Sequence, residues 1–156
     1  MPSPTLEFLD DFPPSKEEEI RELIAPLLRI VGRDISVLKF HISSDTESGA
    51  EISVMRRYHT AQIWLSYAFF YASEGEKRKV LTHELLHVLV DRVHKHGTQI
   101  IDAYFEEGSS EHALIRVRFE ESAEELTDAL ALAFLDILDE IEVMDNFLLP
   151  KEENEE

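Results

Sequence analysis

The sequence predicts a single α+β domain: a small three-stranded sheet packed against a motif-bearing helix and a long C-terminal helix. Three observations predict it. Residues 35–42, 51–58 and 60–66 are rich in β-branched and aromatic residues and alternate loosely, as strands do. Residues 80–93 are apolar on nearly every side and contain neither Gly nor Pro, as a core helix does. Apolar residues then recur at helical spacing through Ala123, Leu126, Leu130, Ala133, Phe134, Ile137, Leu138 and Ile141. A length of 156 residues suits one domain.

In chain order, residues 1–14 are Pro-rich and aperiodic, an extended arm that can dock through Leu6, Phe8, Leu9 and Phe12. Ser15 with Glu18 three residues on forms a capping-box pattern, which opens the domain proper, residues 15–149. The first helix carries Ile20, Leu23, Ile24, Leu27, Leu28 and Val31 on one face, should kink at Pro26, and should stop at Gly32. Residues 43–49 have turn composition. In the strand 60–66, Ile63 and Leu65 point to one face, Gln62 and Trp64 to the other. Ser73 or Glu74 starts the next helix. His94, Lys95, His96 and Gly97 should end it near Val93, since cations in a last turn followed by Gly are stop signals. A short helix is expected at 100–105, and the last helix starts between Glu111 and Phe119 and runs to about Met144. Residues 150–156 form an acidic tail expected to be disordered.

Composition excludes several functions. With no cysteine, the chain has no disulfide, no thiolate metal site and no cysteine nucleophile. A net charge of -18 repels nucleic acid and anionic membrane, and the short basic clusters Arg56–Arg57 and Lys77–Lys79 read as solvated surface. No apolar run approaches the roughly 18 residues a membrane span needs, and no signal-peptide pattern opens the chain, so a cytoplasmic protein is expected. Oligomeric state has no signature in the sequence.

The chemistry centres on His83-Glu84-Leu85-Leu86-His87. On a helix, residues four apart stack one turn above the other, with Cβ atoms about 6 Å apart, so His83 and His87 can converge on one zinc ion. Glu84 is rotated by about 100° and lies beside such an ion, where a general base would act on a water. The bland alternative, two hydrogen-bonded core histidines and a snorkelling glutamate, leaves three costly polar residues in an apolar helix unexplained. A catalytic zinc site also needs a third protein ligand. His94 lies about 10 Å up the helix axis from His87, too far to join the same ion. Glu120, Glu121, Glu124 and Glu125 on the last helix are the acidic candidates. With Leu130 as the inward reference, Glu120 lies about 80° from the apolar stripe, Glu124 about 120° and Glu121 about 180°. Glu120 is therefore the expected ligand, with Glu124 one turn on as hydrogen-bond acceptor for a liganding histidine.

These motifs resemble the gluzincin metallopeptidases, in particular the minigluzincins and the ImmA/IrrE-like peptidases. The match spans roughly residues 60–138. Ala61-Gln62-Ile63-Trp64-Leu65 fits the family's Ala-x-Ile-x-Leu strand, and Glu120, Ala123 and Glu124 fit its later ligand helix, with Glu124 where those relatives usually carry Asn; Glu121 with Glu125 is the other register. The resemblance implies a zincin-like fold and a zinc metalloendopeptidase acting on peptide or protein substrate. It implies that His83, His87 and Glu120 hold Zn²⁺ while Glu84 serves as general base. It makes Ala61, Gln62, Ile63, Trp64 and Leu65 an edge strand that binds substrate by backbone pairing. It also implies a transition-state donor, for which Tyr58, His59, Tyr67 and Tyr71 are candidates by chain position. A zinc-bearing, catalytically silent peptide-binding module is the alternative function.

Overall fold

The computed structural model describes residues 3–9, 12–44 and 49–148. Positions 45–48 of the expected turn and the whole 150–156 tail lie outside the described residues. The elements are β1 (Thr5–Phe8), α1 (Pro14–Val31), β2 (Val37–Ser43), β3 (Ala50–Met55), a 3-10 turn (Arg56–Tyr58), β4 (Thr60–Ser66), α2 (Tyr67–Tyr71), α3 (Glu74–Tyr104) and α4 (Ser110–Leu148).

The sheet has four strands rather than three, in the order β1-β2-β4-β3. The extra strand comes from the N-terminal arm. Thr5–Phe8 pairs in parallel with Val37–Phe40, and Phe8 stacks on Phe40 with ring centroids 5.2 Å apart. Four residues with one apolar side, Leu6 and Phe8, are too short a pattern to read as a strand alone, but β2 offers them an open edge. β2 and β4 are also parallel, and β3 is antiparallel to β4 at the opposite edge.

One face of the sheet carries the core. Leu38, Phe40, Ala61, Ile63 and Leu65 are buried with Ile20, Ile24 and Leu27 of α1 and Leu81, Leu85 and Val88 of α3. On the other face Gln62 and Trp64 are half-buried, as the alternation requires, with His41 stacked on Trp64 and hydrogen-bonded to Gln62. α4 packs on α3, so the layers run sheet, then α1 and α3, then α4.

Helix ends depart from the sequence reading in all three long helices, and α4, Ser110–Leu148, starts just before and ends beyond its expected bounds. α1 starts at Pro14 with Pro13 as N-cap and no side-chain cap, so the Ser15–Glu18 capping box is not formed. Pro inside a first turn costs no hydrogen bond and replaces it. The capping box forms instead at α3, where Ser73 and Glu76 cap each other. α1 still ends at Gly32 and keeps Pro26 inside.

α3 runs through the expected stop to Tyr104 and absorbs the short helix expected at 100–105. Gly97 is there for contact rather than termination. A Cβ on it would lie 2.2 Å from Phe119 Cζ of α4. His94 lies flat on the same Phe119 ring, centroids 5.6 Å apart at 15°. The Gly is the seat of a helix crossing, and helical hydrogen bonding continues through it at modest cost.

The basic clusters are not merely solvated. Arg56 binds Asp91 Oδ2 at 2.6 Å, Asp34 Oδ1 at 3.2 Å and the Val88 carbonyl, tying the β3–β4 connection to α3. Lys77 is buried against Glu19 of α1. Among the described residues no helix is long and apolar enough to cross a membrane.

Candidate metal centre

α3 places His83, Glu84 and His87 at the junction of three elements: its own outer face, the edge strand β3 and the helix α4. Leu81, Leu85 and Val88 point into the core and fix the helix phase. That phase turns the two histidines toward α4 and Glu84 toward β3, since positions 83 and 87 share a face and 84 does not.

The histidine Nε2 atoms lie 3.1 Å apart. Glu124 Oε2 of α4 lies 3.5 Å from His83 Nε2 and 3.6 Å from His87 Nε2. His83 Nδ1 donates to Asp128 Oδ1 at 2.9 Å. With that proton on Nδ1, the Nε2 of a neutral His83 is a bare acceptor, turned toward a second imidazole nitrogen and a carboxylate oxygen. Burial holds the His87 imidazole below its ordinary pKa, Glu124 opposes this, and His83 adds to it. A neutral ring keeps its lone pair for a cation.

The three donors suit one tetrahedral cation. Bonds of about 2.0–2.2 Å in tetrahedral arrangement set ligand atoms about 3.3–3.6 Å apart. The three separations here bracket that range closely. Among the described residues, His83, His87 and Glu124 are the group that could hold a metal ion.

Glu120, the ligand expected from helical phase, is not in this group. It accepts a hydrogen bond from Arg116 Nε at 3.1 Å. Glu124, expected to accept from the outer nitrogen of a histidine, lies in the group instead, and Asp128 is the carboxylate at that outer nitrogen of His83. The alternative register, Glu121 with Glu125, points to solvent. The expected stripe holds in part: Ala123, Leu130, Phe134 and Leu138 are half-buried, but Leu130 lies about 60° from Thr127, at the centre of the inward face. The inward face of α4 centres on Thr127 and Ala131, both buried, whereas Leu126, Ile137 and Ile141 of the expected stripe remain 50–51 % exposed. From Thr127, Glu120 lies about 20° and Glu124 about 60° off, so both face α3. Height then decides. The helices run antiparallel, with Asp128 opposite His83, Glu124 opposite His87 and His112 opposite Asp102. Glu120 sits one turn, about 6 Å, toward the hairpin tip.

Glu84 is buried, and burial is the largest cause pushing its carboxyl up to about 8. The Glu124 and Glu51 carboxylates push the same way, while a hydrogen bond from the Ile52 backbone N–H pulls down. A cation beside it would also pull down.

Beside Glu84 runs a groove of about 300 Å³, lined among others by Glu51, Ile52, Val54, His87, His94 and Glu124. Its strand wall is β3. The strand expected to bind substrate, Ala61 to Leu65, is an interior strand paired on both sides, with β2 and β3, so its backbone has no edge to offer. β3 does. Ile52 N–H reaches Glu84 and Val54 C=O accepts from Lys95 Nζ at 3.2 Å, so this side of β3 faces the groove.

Tyr58, His59, Tyr67 and Tyr71 do not line this groove. Tyr58, Tyr67 and Tyr71 are exposed, and His59 sits in the left-handed region ahead of β4 with Nδ1 near the Asp34 carbonyl. His94, read as a helix-end cap, lines it instead. Asp128 was missed too, although the same four-residue rule that paired Glu120 with Glu124 pairs Glu124 with Asp128.

Comparison with known proteins adds no assignment: no family model, no curated protein and no solved structure matches the chain.

Proposed function

We propose that this chain is a zinc-dependent metalloendopeptidase of zincin-like build, acting on extended peptide or protein segments. The observation that carries the reading is the convergence of His83 Nε2, His87 Nε2 and Glu124 Oε2 at tetrahedral-edge spacing beside the buried Glu84. Imidazole and carboxylate donors in a His₂Glu set suit zinc and match the donor number of catalytic sites, which keep one position open.

His83, His87 and Glu124 would hold the ion, and Asp128 would hold His83 in the tautomer that presents Nε2. When bound, zinc supplies Lewis acidity that makes a water nucleophilic near neutral pH and offsets charge on a carbonyl oxygen. Glu84 carries the proton: its carboxylate takes it from the attacking water and returns it to the leaving nitrogen. β3 orients the substrate, which adds as a strand along the groove side of Ile52 and Val54. The acidic surface favours peptides with Lys or Arg flanking the cut, an attraction that weakens with salt.

A zinc-bearing, catalytically silent peptide-binding module is the second reading, favoured by the hydrogen bond that Ile52 N–H makes to the Glu84 carboxylate. One experiment separates the two. Purified protein is assayed for metal by mass spectrometry and for hydrolysis of casein, as wild type and as Glu84→Gln. The peptidase reading expects about one zinc per chain in both, and hydrolysis at least about 10²-fold slower in the variant. Zinc without any turnover in the wild type favours the binding module. Stoichiometric zinc persisting in His83→Ala/His87→Ala would refute the site itself.

A further inference from the structure

The α3–α4 hairpin carries exposed apolar side chains beyond what a lone helix pair needs. Two of its features are complementary to each other. Near the tip, Arg92, Val93, His96, Gly97, Ile100 and Phe119 line an apolar groove of about 580 Å³. Its rim carries two exposed arginines, Arg92, which lies 3.8 Å from Asp34 Oδ1, and Arg118 beside Phe119. Further along α4, Leu126, Ala133 and Ile137 form an exposed apolar ridge. Its rim is acidic, with Asp136 and Glu140 exposed, and α4 has no Lys or Arg anywhere from Phe119 to its end.

Phe119, Leu126 and Ala133 recur at intervals of seven, with Ile137 four further on, so groove and ridge lie on one side of α4. We propose that this face is where two copies of the chain associate, α4 antiparallel to α4, with the two-fold axis near Leu126. That axis sets Phe119 of one copy opposite Ala133 of the other. The ridge of each copy enters the groove of its partner, as a closed two-fold contact requires. Arg118 and Asp136 occupy the same flank of α4, because eighteen residues are five full turns at about 3.6 residues each. The antiparallel pairing therefore brings Arg118 against the partner's Asp136 twice. A foreign partner of uniform charge would meet one favourable and one unfavourable rim, whereas a second copy meets opposite charge at both.

Sedimentation velocity at micromolar protein is the test, with circular dichroism to verify folding. Wild type is expected to sediment as a dimer. Ile137→Glu, at an exposed position, should weaken the dimer by more than about tenfold. One charge variant, Arg92→Glu/Arg118→Glu, and another, Asp136→Lys/Glu140→Lys, should each be monomeric alone. Mixed in equal amounts they should form a dimer, since every rim then meets opposite charge. A monomeric wild type up to about 100 µM overturns the proposal. So does a dimer unaffected by Ile137→Glu, or a mixture of the charge variants that stays monomeric.

Discussion

His83 Nδ1 and Asp128 Oδ1 are 2.9 Å apart, joining α3 to α4 through the outer nitrogen of a histidine whose inner nitrogen faces His87 and Glu124. Forty-five residues of sequence separate the pair. The contact selects the tautomer with its proton on Nδ1 and marks the height at which α4 lies along α3.

Removing this carboxylate should loosen metal without unfolding the chain. Asp128 has a 65 % exposed side chain, so Asp128→Ala removes little packing. Outer partners of liganding histidines are typically worth about 10–100-fold in metal affinity. Competition with a chromophoric zinc chelator should show a loss of that order. Unchanged affinity would mean His83 needs no such support.

Glu124→Gln should weaken zinc binding far more than Glu120→Gln. Glu124 lies within 3.6 Å of both imidazole nitrogens, whereas Glu120 is one turn away and engaged by Arg116. Isothermal titration of the two variants against wild type gives the order directly. A larger loss at Glu120 would require α4 to slide by one turn.

Lys95→Met should improve peptide binding while leaving zinc content intact. Lys95 Nζ donates to the Val54 carbonyl and pairs with Asp91 Oδ1 at 3.1 Å, so it occupies a group that an added strand would use. A net hydrogen bond is worth about 0.5–1.5 kcal/mol, so KM for an extended peptide should fall by roughly two- to tenfold with kcat nearly constant. A rise in KM would instead make Lys95 a substrate contact.

Gly97→Ala should destabilise the protein despite the higher helix propensity of Ala. Propensity favours Ala by about 0.8–1.0 kcal/mol, but a Cβ at 2.2 Å from Phe119 Cζ forces the ring or the helix to move. Overpacking of this kind costs typically about 1–3 kcal/mol, so the expected sign is a lower Tm. Adding Phe119→Ala to Gly97→Ala should cost less than Phe119→Ala does alone, because the new methyl then fills space. Strict additivity of the two changes would leave the crossing without its tight contact.

Features that depend on near neighbours in the chain are legible before it folds. His83, Glu84 and His87 share one helix, so their relative placement follows from 3.6 residues per turn. The alternation that turns Ile63 inward and Trp64 outward, the helix start at Ser73 and the stop at Gly32 are local in the same way. Tertiary structure decided whatever required a distance between separate elements. Whether Glu120 or Glu124 meets the histidines depends on how far α4 slides along α3, and helical periodicity carries phase but not height. Leu130 lies at one margin of the inward face: the buried centre is Thr127 and Ala131, Phe134 and Leu138 are half-buried, and Leu126, Ile137 and Ile141 of the same stripe stay exposed. The choice of β3 over β4 as the open edge rests on strand order, since pairing partners set which backbone has groups to spare, and a run such as Ala61 to Leu65 reads the same at the edge or the centre of a sheet.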